Sequence, residues 1–171
     1  MNNLKRTTTM KRMMTIALVL LAVLTACAQG KWTVSHREAD ELKGEKAQDV
    51  YIYEAAGIGS LVVWDWKSPN FRLVSEKGMF RKMVSGGNTF VPVKVGFYDE
   101  SGKLEKSFTI NLLEELNHGG KFIATGDFYL LGRKDIKKTL ARLKSGKGYV
   151  RMLAMLYNQP DFDLKVTPFQ Q

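Results

Sequence analysis

Short runs in which apolar and polar residues alternate repeat along this chain from Asp49 onward, and turn residues separate them. A period of two places every second side chain on the same face of an extended strand. About nine such runs can be traced, without the interleaved long helices that a parallel α/β sheet requires. The pattern therefore predicts a mainly β fold, either an antiparallel β-sandwich or an open barrel of about nine short strands.

A hairpin around Asp99–Gly102 is the clearest local prediction. Every second residue from Val91 to Phe97 is apolar before the turn, and the alternate positions from Leu104 to Leu112 form one face after it. Gly102 suits the left-handed backbone that such a turn needs. Pro92 has no N–H group, so we expect the first of these strands to lie at a sheet edge or to start late.

One amphipathic helix is predicted at about residues 134–145. Ile136, Leu140 and Leu143 recur at helical spacing, and Gly146 stands where a C-terminal cap belongs. The polar side of this helix is strongly basic, and its candidate membrane or anion contacts are Lys134, Lys137, Lys138 and Arg142. Such a face is attracted to anionic head groups. A solvated face that only aids solubility is the commoner outcome.

The first residues are typical of an export signal. Lys11 and Arg12 precede an apolar run, Met13–Leu24, which is shorter than the roughly 20 residues that span a bilayer and ends in small residues. Translation from Met1 or from Met10 fits this pattern equally. Residues 1–26 are therefore interpreted as a signal peptide.

The residues Leu24-Thr25-Ala26-Cys27 close the apolar run and resemble the lipobox of bacterial lipoproteins. The resemblance covers the signal segment only, and it implies cleavage before Cys27 and acylation of that residue. Ala28, which is not acidic, implies by the same resemblance the outer membrane, facing the periplasm or the surface. The alternative is an ordinary cut at Ala26–Cys27–Ala28, which releases a soluble protein from Gln29. Cys27 is the only cysteine, and an unpaired cysteine in an exported protein needs a use.

Removal of the signal peptide on export lowers the net charge of the chain and changes which partners that charge favours. The precursor carries a net charge of +9, and losing four of its 26 basic residues with the signal peptide leaves 22 against 17 acidic residues, or +5. A nucleic-acid partner is improbable at an extracytoplasmic address, and anionic head groups or acidic glycans are better candidates.

The mature chain predicts a tether and one domain. Residues 27–48 are rich in charge and predict a lipidated N-terminus and tether, in which Lys31–Val34 is able to pair as a short strand. Residues 49–171 then form a single β-rich domain, which is long enough for one core.

A possible ligand platform is Trp64-Asp65-Trp66. Residues i and i+2 of a strand share a face, so Trp64 and Trp66 would present two indoles to sugar rings. The more frequent alternative is that the indoles belong to the core or to a covered sheet face.

Catalysis has little support in the sequence. Asp161 and Asp163 share a strand face but are too few for a cation site. His36 and His118 are isolated, and no nucleophile, metal or phosphate motif is present. We therefore expect no metal and no cofactor. The predicted function is a membrane-anchored, non-enzymatic binding or assembly module of the cell envelope, for a glycan or an envelope protein. The alternative is a small envelope hydrolase that uses carboxylates.

Overall fold

The computed structural model describes residues 30–39, 44, 46–66, 70–115, 121–126 and 133–170. Within these ranges the fold is mainly β with one helix, as the sequence predicts. The strands are β1 (Lys31–Arg37), β2 (Gln48–Ala55), β3 (Gly59–Val63), β4 (Phe71–Ser75), β5 (Met83–Ser85), β6 (Asn88–Tyr98), β7 (Leu104–Glu115), β8 (Phe122–Gly126), β9 (Tyr149–Ala154) and β10 (Phe162–Val166). The helix, α1, spans Arg133–Lys144.

All ten strands belong to one antiparallel sheet. Its order is β1-β2-β3-β4-β8-β7-β6-β9-β10, and β5 pairs with the start of β6. In the described residues no ladder joins β1 to β10, so the sheet curls without closing. The inward side chains of nearly every strand meet in a single core, of which Leu61, Phe71 and Phe162 are completely buried.

Side chains join the two ends of the sheet where no ladder does. The Trp32 indole Nε1 on β1 donates a hydrogen bond of 2.8 Å to the Thr167 carbonyl oxygen just after β10. The rings of Trp32 and Phe169 lie 5.5 Å apart. At the start of β3, glycine is required at position 59. A Cβ atom there would collide with the Val74 carbonyl oxygen and lie 3.1 Å from the Phe162 ring of β10. This seam brings the first and last strands together.

The sheet begins at Lys31, in the stretch Lys31–Val34 that the sequence allows as a short strand. The whole of β1, as far as Arg37, pairs with β2 inside the segment that the charge pattern assigns to a tether. Its outward side chains are exposed, which explains the charged sequence, while Trp32 packs against the core. One large indole at the seam is enough to hold an otherwise polar edge strand.

The helix α1 closes one end of the curled sheet. Ile136, Leu140 and Leu143 are each at most 2% exposed and join the core, as their spacing predicts. Gly146 follows with φ +72°, the left-handed cap expected after a helix. The Leu143 carbonyl oxygen accepts a 2.9 Å hydrogen bond from the Phe169 N–H, which ties the helix to the C-terminal segment.

The hairpin β6–β7 forms as predicted, with two differences. β6 is a central strand, and Pro92 is tolerated because it lies between the residues that pair with β5 and those that pair with β9. A bulge shifts the register between Phe97 and Tyr98, so Leu104 lies opposite Tyr98 on the outer face of the sheet. Bulges change which face a side chain takes, and a strict alternation cannot anticipate them.

The antiparallel register gives the sheet two distinct ends. One end, here called the entry end, is marked by a series of paired residues on successive strands. The pairs are Lys31 with Glu54, Ala55 with Gly59, Gly59 with Ser75, and Ser75 with Phe122. The far end holds the opposite termini of the same strands and the helix α1, whose Ile136 lies beside Gly126. Because the sheet curls, Trp32 at the start of β1 nevertheless contacts Phe169, whose N–H is bonded to Leu143 of α1.

Candidate functional site

The predicted lipidation residue, Cys27, lies outside the described residues, as does His118. Gly30 is the first described residue, and it leads directly into β1. Lipidation therefore stays a prediction, with the geometric consequence that only three residues separate Cys27 from the strand.

The two candidate platform tryptophans have different neighbours. Trp66 packs at the seam, with its ring centroid 5.2 Å from that of Tyr51 and 5.6 Å from that of Phe169. Trp64 lies under the Arg72 guanidinium, whose Cζ atom is 4.5 Å from the indole centroid. Both residues follow the end of β3, where the strand rule that would align them no longer applies. A shared sugar platform stays a hypothesis. Trp64 differs from Trp66 in that its described contact is with Arg72 and not with the aromatic rings of the seam.

The four candidate contact residues of α1 divide into two pairs. Lys134 and Lys137 are exposed. Lys138 Nζ lies 2.7 Å from Asp135 Oδ1, and the Arg142 guanidinium binds Glu105 as well as the Tyr98 carbonyl oxygen, the latter at 2.8 Å. Arg142 thus fastens the helix to the β6–β7 hairpin, while Lys134 and Lys137 remain available to an anionic surface.

Several carboxylates in the described ranges pair with basic side chains. Asp163 binds Arg151 through both oxygens, at 2.7 and 2.5 Å, and Glu114 Oε2 lies 2.6 Å from Lys82 Nζ. Asp49 Oδ1 lies 2.8 Å from His36 Nδ1 across β1 and β2. No group of three or more His, Cys, Asp or Glu side chains gathers within the described ranges. Asp163 is therefore an ion-pair partner and not a free cation ligand.

The outer face of β6, β7, β9 and β10 holds a site that the sequence did not indicate. Inward Val93, Val95 and Phe97 force the intervening Lys94, Gly96 and Tyr98 outward. Gly96 is the floor of a cavity of about 120 Å³, which Lys94, Tyr98, Leu104, Ser107, Arg151 and Leu153 surround. A Cβ atom on Gly96 would lie 2.8 Å from the Tyr98 ring and 3.3 Å from Leu104, so the cavity depends on glycine.

Tyr98, which lines this cavity, is stacked on a second tyrosine that lies behind it, Tyr149. Tyr98 on β6 lies directly opposite Tyr149 on β9, and their rings are 4.7 Å apart with planes only 3° from parallel. Lys165 Nζ stands 4.1 Å from the Tyr149 ring centroid, in cation–π contact. Cross-strand aromatic pairs hold their rings in place, so the Tyr98 side of the cavity is preorganised.

Basic side chains lie in and around this cavity, with Lys94 and Arg151 in its lining and Lys165 beside Tyr149. The hydrogen bond with the Asp163 carboxylate is the main reason why the pKa of Arg151 is raised above its ordinary value, and a hydrogen bond with Tyr98 acts in the same direction. Asp163 offsets one positive charge among Lys94, Arg151 and Lys165, which leaves a local charge of about +2. The cavity thus combines an aromatic wall, a serine hydroxyl and cations, a set that suits an acidic ring compound.

A second cavity, of about 350 Å³, opens on the same outer face nearer the entry end. Its walls are neutral: Ser85 and Asn88 from the β5–β6 hairpin, Asn111 from β7, and the apolar Phe90 and Leu113. The hairpin turns through Gly86 and Gly87, both with positive φ, as a two-residue turn requires.

The sequence contained part of the signal for the Gly96 cavity. The alternation from Val91 to Phe97 places Lys94, Gly96 and Tyr98 on one face, but only the register of β9 brings Tyr149 and Arg151 beside them. The apolar stretch from Tyr149 to Tyr157 favours a buried central strand. The central position is observed for β9, whereas Arg151, Met155 and Tyr157 are exposed.

No family model, curated protein or solved structure matches this chain. In the described part of the chain, no helix has both the length and the apolar character needed to cross a bilayer.

Proposed function

We propose that this chain is a lipid-anchored protein of the bacterial cell envelope and that its β domain is a non-enzymatic binding module for acidic glycans. The anchor rests on the resemblance of Leu24–Cys27 to a lipobox. The ligand class rests on one observation, the cavity over Gly96 with its stacked tyrosines and its cations.

An acidic sugar satisfies each wall of this cavity. The apolar face of a pyranose packs against an aromatic ring such as Tyr98, and Ser107 offers a hydroxyl for hydrogen bonding. A carboxylate or sulfate on the sugar is attracted by Lys94 and Arg151, and charge-assisted hydrogen bonds are roughly twice as strong as neutral ones. A cavity of about 120 Å³ is too small to enclose a whole acidic sugar, so one ring would be partly inserted and a polymer would bind along the outer face.

Binding to polygalacturonate, with neutral dextran as the comparison, tests the ligand class. We expect the mature domain to bind polygalacturonate and to bind dextran at least tenfold more weakly, because dextran offers no anion to Lys94. Lys94→Gln should weaken polygalacturonate binding about tenfold. Lys137→Gln is the matched control, since it removes the same charge from the exposed face of α1.

Three outcomes contradict the proposal. Equal losses from Lys94→Gln and Lys137→Gln would mean that net charge, and not the cavity, attracts the polymer. Shortened polygalacturonate chains after incubation would mean that the protein is a hydrolase. Loss of binding in Trp64→Ala but not in Tyr149→Ala would move the site to Trp64. The anchor is tested separately by intact mass, which should show acyl chains on an N-terminal Cys27.

A further inference from the structure

The cavity of about 350 Å³ at the start of β6 differs from the Gly96 cavity in the charge of its lining. Its volume falls within the range of about 300–1,000 Å³ that is usual for small-molecule sites. The described residues around it are uncharged, and they combine polar Ser85, Asn88 and Asn111 with apolar Phe90 and Leu113. A charged ligand would lose water here without gaining an ionic partner, so the lining favours a neutral one. We call this space the asparagine cavity.

Two side-chain amides supply the hydrogen-bonding groups of the asparagine cavity. An asparagine amide accepts hydrogen bonds through its oxygen and donates two through its nitrogen. Among the residues that the structure describes, neither the Asn88 amide nor the Asn111 amide is hydrogen-bonded to another residue. Both amides are therefore available to a ligand that carries a donor next to an acceptor.

Strand pairing fixes the backbone that carries these amides. Asn88 pairs with Ser85 across the turn of the β5–β6 hairpin, and Asn111 pairs with Pro92 in the β6–β7 ladder. On the same hairpin, Met83 pairs with Phe90 and is 50% exposed, so it extends the apolar surface at this position. The cavity thus has polar and apolar groups whose relative positions are set before a ligand arrives.

We propose that the asparagine cavity binds a neutral, N-acetylated sugar. An acetamide group presents one carbonyl acceptor, one N–H donor and one methyl group. The Asn111 and Asn88 amides complement the acceptor and the donor, while the methyl group and the apolar face of the sugar ring pack against Leu113 and Phe90. A plain hydroxyl group lacks the methyl, and a carboxylate lacks the donor and carries a charge, so neither matches this lining as well.

The asparagine cavity and the Gly96 cavity share one outer sheet face. Phe90 and Gly96 lie six residues apart on β6, a separation of about 20 Å along a strand. On β7, Asn111 lines the first cavity and Ser107 the second. A glycan that alternates acidic and N-acetylated sugars therefore reaches both sites once it is several sugars long. Joint occupancy rests on the proposed function, whereas the neutral site stands on its own lining.

Titration of the mature chain with triacetylchitotriose tests the neutral site, and maltotriose is the comparison without acetamide groups. We expect the chitotriose to bind and the maltotriose to bind about tenfold more weakly. Asn111→Leu should weaken chitotriose binding about tenfold, because it removes the amide at similar volume. Thr109→Val is the matched control, since Thr109 lies on the same strand face and lines neither cavity. Absent chitotriose binding, equal maltotriose binding, or equal effects of the two variants would overturn the proposal.

An NMR titration of the unsubstituted protein locates the site without relying on a variant. Chitotriose should shift the side-chain NH₂ signals of Asn88 and Asn111 and leave the Gly96 amide signal in place. The largest shifts at Gly96, or at neither asparagine, would contradict the proposal.

Two ligands separate this inference from the proposed function. Asn111→Leu should lower chitotriose binding far more than polygalacturonate binding, and Lys94→Gln should do the reverse. Polygalacturonate binding without chitotriose binding refutes only the neutral site, while chitotriose binding alone refutes only the acidic-glycan function. Hyaluronan, which alternates glucuronate with N-acetylglucosamine, should be weakened by both variants. An effect of one variant alone on hyaluronan would refute joint occupancy.

Discussion

The phenol rings of Tyr98 and Tyr149 stack across β6 and β9 with their centroids 4.7 Å apart. Neither residue is part of a recognisable motif, and they are 51 positions apart in the chain. Their stacking depends on the pairing of β6 with β9, which places one directly opposite the other. Together with Gly96 they define the cavity on which the proposed ligand class depends.

Removing the stack should affect both stability and binding. Tyr149→Ala removes a ring contact worth about 1 kcal/mol, and it leaves Tyr98 without the ring that holds it in place beside the cavity. Urea denaturation should show a loss of about that size, and polygalacturonate binding should fall. Tyr149→Phe keeps the ring and should behave like the wild type in both measurements. If the phenylalanine variant loses binding as well, the hydroxyl and not the stacked ring is what matters.

Trp32 at the seam should be important for stability although it lies on an exposed edge strand. Trp32→Phe keeps a ring against Phe169 but loses the hydrogen bond to the Thr167 carbonyl oxygen, at a cost of about 1 kcal/mol. Trp32→Ala should cost about 3 kcal/mol, near the lower end of the range for buried aromatics. Val34→Ala, on the same strand but 52% exposed, is the control and should change the free energy of unfolding by less than about 0.5 kcal/mol. Similar losses at positions 32 and 34 would mean that the seam does not close the fold.

The helix α1 should stabilise the domain through one face only. Leu140→Ala leaves a cavity in the core and should cost about 2–5 kcal/mol in chemical denaturation. Lys137→Ala, one turn earlier on the exposed face, should lie within about 0.5 kcal/mol of the wild type. A small effect of Leu140→Ala would indicate that α1 is detached from the sheet in solution.

The β6–β7 turn should make the free energy of unfolding depend on pH through Asp99. The Asp99 carboxylate accepts a hydrogen bond of 2.6 Å from the Ser101 hydroxyl and one of 2.9 Å from the Lys103 N–H. Both bonds lower the pKa of Asp99 below its ordinary value, and the bond from Ser101 has the larger effect. Because the folded pKa is the lower one, this stabilisation is present above the unfolded pKa and is lost as the pH falls through the folded pKa.

Ser101→Ala should therefore raise the pKa of Asp99, measured by NMR titration of its side-chain carboxyl carbon. Asp99→Asn should flatten the acid limb of the stability profile. An unchanged Asp99 titration in Ser101→Ala would show that the serine hydroxyl does not hold the carboxylate.

The sequence alone was sufficient for the elements and for most of the core. Period-two alternation identified β6 and β7, and the spacing of Ile136, Leu140 and Leu143 identified α1, because periodicity reports directly which side chains face inward. It misplaced Leu104, because a bulge changes the parity of a strand. It indicated only Lys31–Val34 as a possible first strand, and the continuation of β1 to Arg37 carries no apolar alternation because those side chains face water.

The candidate site depended on information that no local pattern carries. Trp64 and Trp66 look equivalent in the sequence, yet the chain leaves β3 after Val63 and gives the two indoles different neighbours. The Gly96 cavity arises from strand order and register, which join residues far apart in the chain. Local sequence therefore determined which residues face outward, and only the tertiary structure decided which outward residues meet, because strand pairing is a long-range choice.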